Sequence, residues 1–160
     1  MKALFLTVLN TLFFSPYAHA EWAPYINCGY ENLVVDRDIG PETDSGQYQE
    51  IYQMVIRNPD AVLALNNALY ARAPEHLRQE TLINSKNEIV LGDLNISSDR
   101  GATRYCSQSL NTSSSALGEP VYRITGELNS WGQFTVRLLA SGNSGATEVT
   151  NWVFYNCHQP

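Results

Sequence analysis

The sequence predicts a single α+β domain built mainly of antiparallel β-sheet, in which a C-terminal three-strand meander over 120–157 is packed by a helix at about 59–72. Two observations lead to this fold class. Three stretches with β-type alternation follow one another through the last quarter of the chain, separated by turn-forming residues. Earlier, the segment after Asn58 places its apolar residues at helical spacing.

The meander is the strongest pattern in the chain. Tyr122 and Ile124 share one face of its first stretch, and Phe134 and Val136 share one face of its second. Because successive strand side chains point to opposite faces, each stretch has an apolar core face and a polar solvent face. The third stretch contains four consecutive apolar residues at 152–155. We therefore expect it to be covered on both faces or to lie centrally in the sheet.

The helix prediction depends on start signals and on periodicity. Asn58 is a favoured N-cap, Pro59 suits the first helical position, and Asp60 complements the helix dipole. Leu65 and Leu69 then lie on one face of the helix. That apolar face requires a partner, and we expect it to pack against the doubly apolar end of the last strand.

The segments between these elements predict further strands. Strands are expected at 32–36, 50–57, 88–96 and 102–110, and a second short helix at 74–81. The first two would form an N-terminal hairpin around an acidic loop. The stretch 47–56 also shows some helical spacing, but its β-branched and aromatic content favours a strand.

The N-terminus has the features of a secretory signal peptide. Lys2 provides the positive charge, an apolar stretch follows, and Ala18-His19-Ala20 fits a small-x-small cleavage site. We therefore expect removal of 1–20 and export of one domain, 21–160, to a periplasm or to the outside of the cell. An uncleaved anchor is the alternative, but no stop-transfer pattern follows, and no membrane span is expected in the mature chain.

The mature chain is acidic. Loss of Lys2 leaves nine basic residues against sixteen acidic ones, a net charge of −7, and Lys86 is then the only lysine. A nucleic-acid groove requires a clustered cationic face, so neither nucleic acid nor an anionic membrane surface is an expected partner. An acidic exported chain suits a basic protein partner.

Three cysteines remain after cleavage, which predicts one disulfide and one free thiol in an oxidising compartment. The preferred pair is Cys106 with Cys157, because both follow β-type stretches. The alternative joins Cys28 to Cys157 and would tie the two ends of the mature chain together.

The sequence offers little support for a catalytic or metal site, and no cofactor is expected. It contains no Cys-x-x-Cys and no Gly-x-Ser-x-Gly. The acidic loop at 36–44 spaces its carboxylates as a calcium loop does, but Pro41 and Gln47 stand where an EF-hand needs glycine and an acid. A solvated loop is the favoured interpretation. Asp93, Glu127 and Glu148 are dispersed carboxylates of the kind that a glycosidase uses in pairs.

The candidate binding residues lie in the first turn of the meander. Asn129, Ser130 and Gly132 are turn formers, and Trp131 is the one large apolar residue among them. A tryptophan at a hairpin tip is typical of a residue that contacts a protein or stacks on a glycan. The alternative is that its ring folds back as a cap on the core. Tyr30 either belongs to the same surface or anchors the N-terminus.

These observations predict a small exported binding protein rather than an enzyme. The expected partner is another protein, and the specific form is an inhibitor or immunity-type factor acting on a basic exported enzyme. A carbohydrate-binding or envelope-binding adhesive module is the first alternative, with cell-wall glycan as its ligand. A cell-wall-active hydrolase with dispersed carboxylates is the second.

Overall fold

The structure is a computed structural model that describes residues 22–42, 44–72, 82–99, 101–110 and 119–160. The expected signal peptide at 1–20 and the expected second helix at 74–81 lie outside the described residues. Within them, no helix is both long enough and apolar enough to cross a bilayer.

The described residues form ten strands and one helix. In chain order these are β1 (Ala23–Cys28), β2 (Leu33–Glu42), β3 (Tyr48–Ile56), α1 (Pro59–Arg72), β4 (Ile89–Leu91), β5 (Asn95–Asp99), β6 (Ala102–Cys106), β7 (Val121–Leu128), β8 (Phe134–Gly142), β9 (Gly145–Phe154) and β10 (Cys157–His158).

The strands form two five-stranded sheets that share one core. Sheet A has the order β10-β1-β2-β3-β4 and sheet B the order β5-β6-β7-β8-β9, with every neighbouring pair antiparallel. The two sheets pack tightly at Gly126, where a β-carbon would collide with Met54 of sheet A and Phe134 of sheet B. The predicted α+β class is confirmed, with two sheets in place of the one that the pattern suggested.

The predicted meander is confirmed as β7, β8 and β9. Leu128 pairs with Phe134 across the first turn, and Phe134 pairs with Phe154 on the next strand. The expectation for 152–155 is partly wrong: β9 is the edge strand of sheet B, and Tyr155 lies exposed beyond its end. The apolar end of β9 is instead accompanied by α1, which contacts both β8 and β9.

The helix occupies the predicted residues. The Asn58 side-chain oxygen accepts a hydrogen bond from the Ala61 amide at 2.9 Å, as an N-cap does. Leu65 and Leu69 are buried, which confirms the predicted apolar face. At the other end, the Tyr122 hydroxyl donates to the Arg72 carbonyl oxygen at 3.0 Å and joins α1 to sheet B.

One of the predicted strands is divided between the two sheets. The expected strand at 88–96 is two strands on different sheets, β4 and β5, because the chain crosses between the sheets at Gly92 and Asp93. Asp93 has φ +48°, and the next amide, that of Leu94, donates to the Tyr52 carbonyl oxygen. The N-terminal hairpin is present as β2 and β3, and the strand interpretation of 48–56 is confirmed.

The disulfide joins Cys28 to Cys157, so the preferred pairing of Cys106 with Cys157 is wrong. The reason is the strand pairing of β1 with β10, which places Cys28 directly opposite Cys157 in sheet A. Cys106 lies in sheet B, opposite Asn95 and Thr125, and is a free thiol. The bridge closes sheet A with the last residues of the chain.

Candidate functional site

The disulfide marks one end of the molecule, which we call the disulfide end. Here β1, β3, β7 and β9 finish and β2 and β8 begin, as their pairings show. Three exposed aromatic side chains lie close to the bridge. Tyr30 and Tyr155 are each two residues from a bridged cysteine, and Trp131 precedes Gly132, which is hydrogen-bonded to Cys157. The strand ends and the bridge therefore present the largest exposed rings of this region together.

The turn that carries Trp131 is organised by Asn129. Its side-chain oxygen accepts hydrogen bonds from the backbone amides of Trp131 and Gln133, at 2.9 and 3.0 Å. Its side-chain nitrogen donates to the Gln133 side chain at 3.0 Å. The indole is 85 % exposed, so it does not cap the core. Asn129 thus holds the turn, while Trp131 is held out in solvent.

The Trp131 turn is fastened to the disulfide. The amide of Cys157 donates to the Gly132 carbonyl oxygen at 2.9 Å. Cys157 is bonded to Cys28, which pairs with Leu33 at the start of β2. A motion of the turn would therefore have to break backbone hydrogen bonds next to a covalent bridge.

Tyr30 is the most exposed of the three rings and sits on an unfavourable backbone. Gly29, Tyr30 and Glu31 are consecutive left-handed residues, with φ of +53°, +58° and +66°. This left-handed conformation is unfavourable for residues other than glycine. The turn is held by the Asn27 side chain, whose oxygen accepts from the Glu31 amide at 3.1 Å. The fold maintains a strained turn that leaves the Tyr30 side chain fully in solvent.

Two adjoining grooves lie on either side of Tyr30. The larger, about 460 Å³, runs from Tyr30 to Trp152 and Tyr155. The smaller, about 340 Å³, extends toward Asn27 and His158. Their polar side chains include asparagines and one histidine, so the grooves combine aromatic faces with hydrogen-bonding groups.

Arg57 is engaged by two carboxylates, one of them in the Tyr30 turn. It donates to Glu31 at 3.2 Å and to Glu88 at 2.9 Å. The hydrogen bonds from Arg57 and then from Asn84 lower the pKa of Glu88 below its usual value. This carboxylate therefore stays ionised and keeps Arg57 beside the Tyr30 turn.

A separate cleft of about 250 Å³ lies beside the Trp131 turn, and we call it the inter-sheet cleft. Ile26 of sheet A and Tyr105 of sheet B form its buried part, and Ser130 and Gln159 are at its exposed rim. Two of the predicted site residues, Asn129 and Ser130, line it, whereas Trp131 does not. The structure therefore divides the predicted site between two neighbouring features.

The dispersed carboxylates are not gathered in a cleft. Glu127 bonds to Arg104 at 3.0 Å, and Glu148 lies 3.3 Å from Arg137. Glu127 and Glu148 face positions four residues apart on β8, roughly 13 Å along the strand. Glycosidase carboxyl pairs are about 5–9.5 Å apart. Glu127 and Glu148 therefore lack the geometry that the hydrolase alternative requires.

The acidic stretch at 36–44 forms the end of β2 and the turn after it. Asp36 accepts a hydrogen bond from Gln53 on β3 at 3.0 Å, and Asp38 is buried. Across the described ranges, His, Cys, Asp and Glu nowhere form a group of three that could hold a metal ion. The side chain of Glu42 is not among those that the structure describes.

Two of the three exposed rings were not among the predicted binding residues. Tyr155 follows an apolar run and was expected to be part of the core, yet it is 59 % exposed. Membership of the Trp131 surface was only one of two interpretations of Tyr30. A local signal for Tyr30 exists in Gly29, a turn former directly after Cys28, but only the pairing of β1 with β10 brings the two tyrosines to the same groove.

No protein-family model matches this chain, and neither a curated protein nor a solved structure does. The function is therefore inferred from the residues of the disulfide end.

Proposed function

We propose that this chain is an exported binding protein that holds a protein partner through its disulfide end. The observation that carries the proposal is the grouping of Tyr30, Trp131 and Tyr155, all exposed, around one covalently closed corner. Tryptophan and tyrosine are the residues most enriched among those that dominate protein–protein binding energy. An exposed ring contributes little to folding, so binding accounts for these positions better than stability does.

The backbone supports the same interpretation. Non-glycine residues with positive φ concentrate at ligand clamps and active sites, where surrounding structure maintains them. Tyr30 and Glu31 have this conformation, and so does Asn156, next to Tyr155. Two of the three rings therefore stand on or beside backbone that is unfavourable by itself.

Rigidity favours affinity at this surface. The Trp131 turn is held by Asn129 and by the Cys157 amide, and the Tyr30 turn is held by Asn27. A surface that is already ordered loses less conformational entropy when it binds. The grooves beside Tyr30 give a partner side chain somewhere to insert.

The charge of the chain favours a basic partner. A net charge of −7 for 21–160 would steer a cationic exported protein toward it and raise the association rate. An inhibitor or immunity-type factor acting on a basic exported enzyme is the specific form that we propose.

The test compares three baits made from the oxidised mature protein: wild type, the Tyr30→Ala/Trp131→Ala double variant, and Tyr48→Ala. Tyr48 is 62 % exposed and lies at the far end of β3, roughly 26 Å along the strand from Ile56. Proteins captured from an envelope extract are identified by mass spectrometry, and the affinity of each purified candidate is measured by calorimetry.

We expect one basic exported protein to be retained by wild type and by Tyr48→Ala, and lost by the double variant. In calorimetry, Trp131→Ala alone should weaken binding by about 2 kcal/mol, roughly thirtyfold in Kd, with little change in Tm. Equal retention by the double variant would overturn the proposal. Retention on glycan resin without any protein partner would favour the carbohydrate-binding alternative instead.

A further inference from the structure

The inter-sheet cleft is built differently from the disulfide end. Ile26 and Tyr105 are 0 % and 1 % exposed and form its inner part, and Leu128 adds an apolar wall. Thr103, Ser130 and Gln159 bring hydroxyl and carboxamide groups to the same space. The cleft is thus apolar inside and lined by neutral polar groups toward solvent.

The polar groups of the cleft are not used by the fold. Among the residues that the structure describes, none hydrogen-bonds to the side-chain hydroxyl of Thr103, Tyr105 or Ser130, or to the Gln159 carboxamide. Tyr105 is the informative case. The residue is 1 % exposed, so its hydroxyl has at most a narrow opening to the cleft. Buried polar groups normally have a protein partner, so this hydroxyl is available to a ligand.

The chemistry of the lining selects a class of ligand. None of the described cleft-lining residues is charged, so a charged ligand would lose its hydration without compensation. A wholly apolar ligand would leave the Tyr105 hydroxyl unpaired in a dry site. Hydroxyl and carboxamide groups both donate and accept, which matches a ligand that carries several hydroxyls.

Burial raises the pKa of Tyr105, so its phenol remains a neutral O–H donor. The volume limits the size of the ligand. A cleft of about 250 Å³ lies below the roughly 300–1,000 Å³ of sites for drug-sized molecules, and therefore accommodates one ring.

We infer that the inter-sheet cleft binds one neutral, hydroxyl-rich ring, a neutral sugar, with its C–H face on Leu128 and its hydroxyls toward Tyr105, Thr103 and Gln159. This site is distinct from the protein-binding surface proposed above, because Trp131, Tyr30 and Tyr155 do not line it. The sugar is either a free monosaccharide or the terminal residue of a glycan.

The test is an NMR titration of the oxidised, ¹⁵N-labelled mature protein. Glucose and N-acetylglucosamine are the neutral probes, and glucosamine and glucuronic acid are charged probes of similar size. We expect saturable shifts of the Thr103, Tyr105 and Ser130 amides with the neutral sugars, and affinities about tenfold weaker or worse with the charged ones. Comparison with the matching trisaccharides separates the two sources. A site for the terminal residue of a glycan should bind the trisaccharide at least as tightly as the monosaccharide. A site for a free monosaccharide should bind the monosaccharide more tightly.

Variants make the outcome decisive. Tyr105→Phe keeps the ring and should weaken sugar binding about fivefold to tenfold, and Thr103→Val removes a hydroxyl at nearly constant volume and should also weaken it. Thr147→Val, on the exposed part of β9, should leave sugar affinity unchanged. Absence of saturable shifts, equal affinity for charged and neutral sugars, or unchanged affinity in both cleft variants would overturn the inference. A cleft variant that loses sugar binding but keeps its affinity for the protein partner would show that this inference and the proposed function are tested independently.

Discussion

A β-carbon on Gly132 would lie 3.1 Å from the carbonyl oxygen of Cys157. The same two residues share a backbone hydrogen bond of 2.9 Å. The Trp131 turn and the disulfide are therefore in direct backbone contact, and glycine favours this approach, since Gly132 also has φ +73°. The position of the exposed indole thus depends on sheet A, although its turn belongs to sheet B.

Gly132→Ala should destabilise the protein by about 1–3 kcal/mol, because it adds a steric contact and places a β-carbon on a left-handed residue. Urea unfolding measures the change. Gly142→Ala is the matched control, since nothing lies within 4 Å of a β-carbon there and its φ is not positive. A Gly132→Ala variant as stable as Gly142→Ala would show that the turn can shift away from Cys157.

Cys28→Ser should destabilise the mature protein by about 2–5 kcal/mol, because the bridge closes a loop across a separation of 129 residues. Cys106→Ser should preserve the bridge and change the free energy of unfolding little. Thermal unfolding of both variants, with non-reducing peptide mapping of the wild type, measures these effects. A dominant crosslinked peptide containing Cys106 would contradict the pairing.

Leu65→Ala should lower the free energy of unfolding by about 2–5 kcal/mol, because Leu65 is fully buried on the apolar face of α1. Leu63→Ala makes the same chemical change at a side chain that is 55 % exposed and should have a small effect. Chemical denaturation of the pair isolates the contribution of burial. Equal losses in the two variants would mean that α1 does not cover the core.

Alkaline pH should destabilise the fold through Tyr52. Burial, and then its hydrogen bond to Glu50, raise the pKa of Tyr52 to about 12 from a usual value of 10.0. The unfolded chain releases this proton at lower pH than the folded chain, so the Tyr52 contribution is complete below pH 10.0 and is lost as the pH rises toward about 12. Stability measured from pH 8 to pH 11 should fall more steeply in wild type than in Tyr52→Phe. Parallel curves would refute this linkage.

Local patterns predicted most of the secondary structure. The helix begins at Pro59 because Asn58 can cap it and Asp60 favours its first turn, and these interactions involve neighbouring residues only. The alternation of Phe134, Val136 and Leu138 likewise specifies a buried strand face, whatever lies opposite. The hydrogen bonds that Asn129 makes within its turn are equally local, since each of them spans four residues or fewer.

Long-range pairing decided what local patterns left open. Three cysteines in one chain are chemically alike, and only the antiparallel pairing of β1 with β10 places Cys28, rather than Cys106, opposite Cys157. The sequence also could not divide 88–96 between two sheets, because that crossing is set by the packing of sheet A against sheet B.

By itself, the sequence determined the α+β class, the helix, the meander and the place of a tryptophan in a tight turn, because each depends on residues close together in the chain. The tertiary structure alone decided that Tyr30 and Tyr155 share a groove, that both lie at the same end as Trp131, and that Tyr105 lines a cleft with Gln159. These residues are separated by dozens of positions. They come together only when the strands pair and the two sheets pack, and each of those long-range contacts depends on many others.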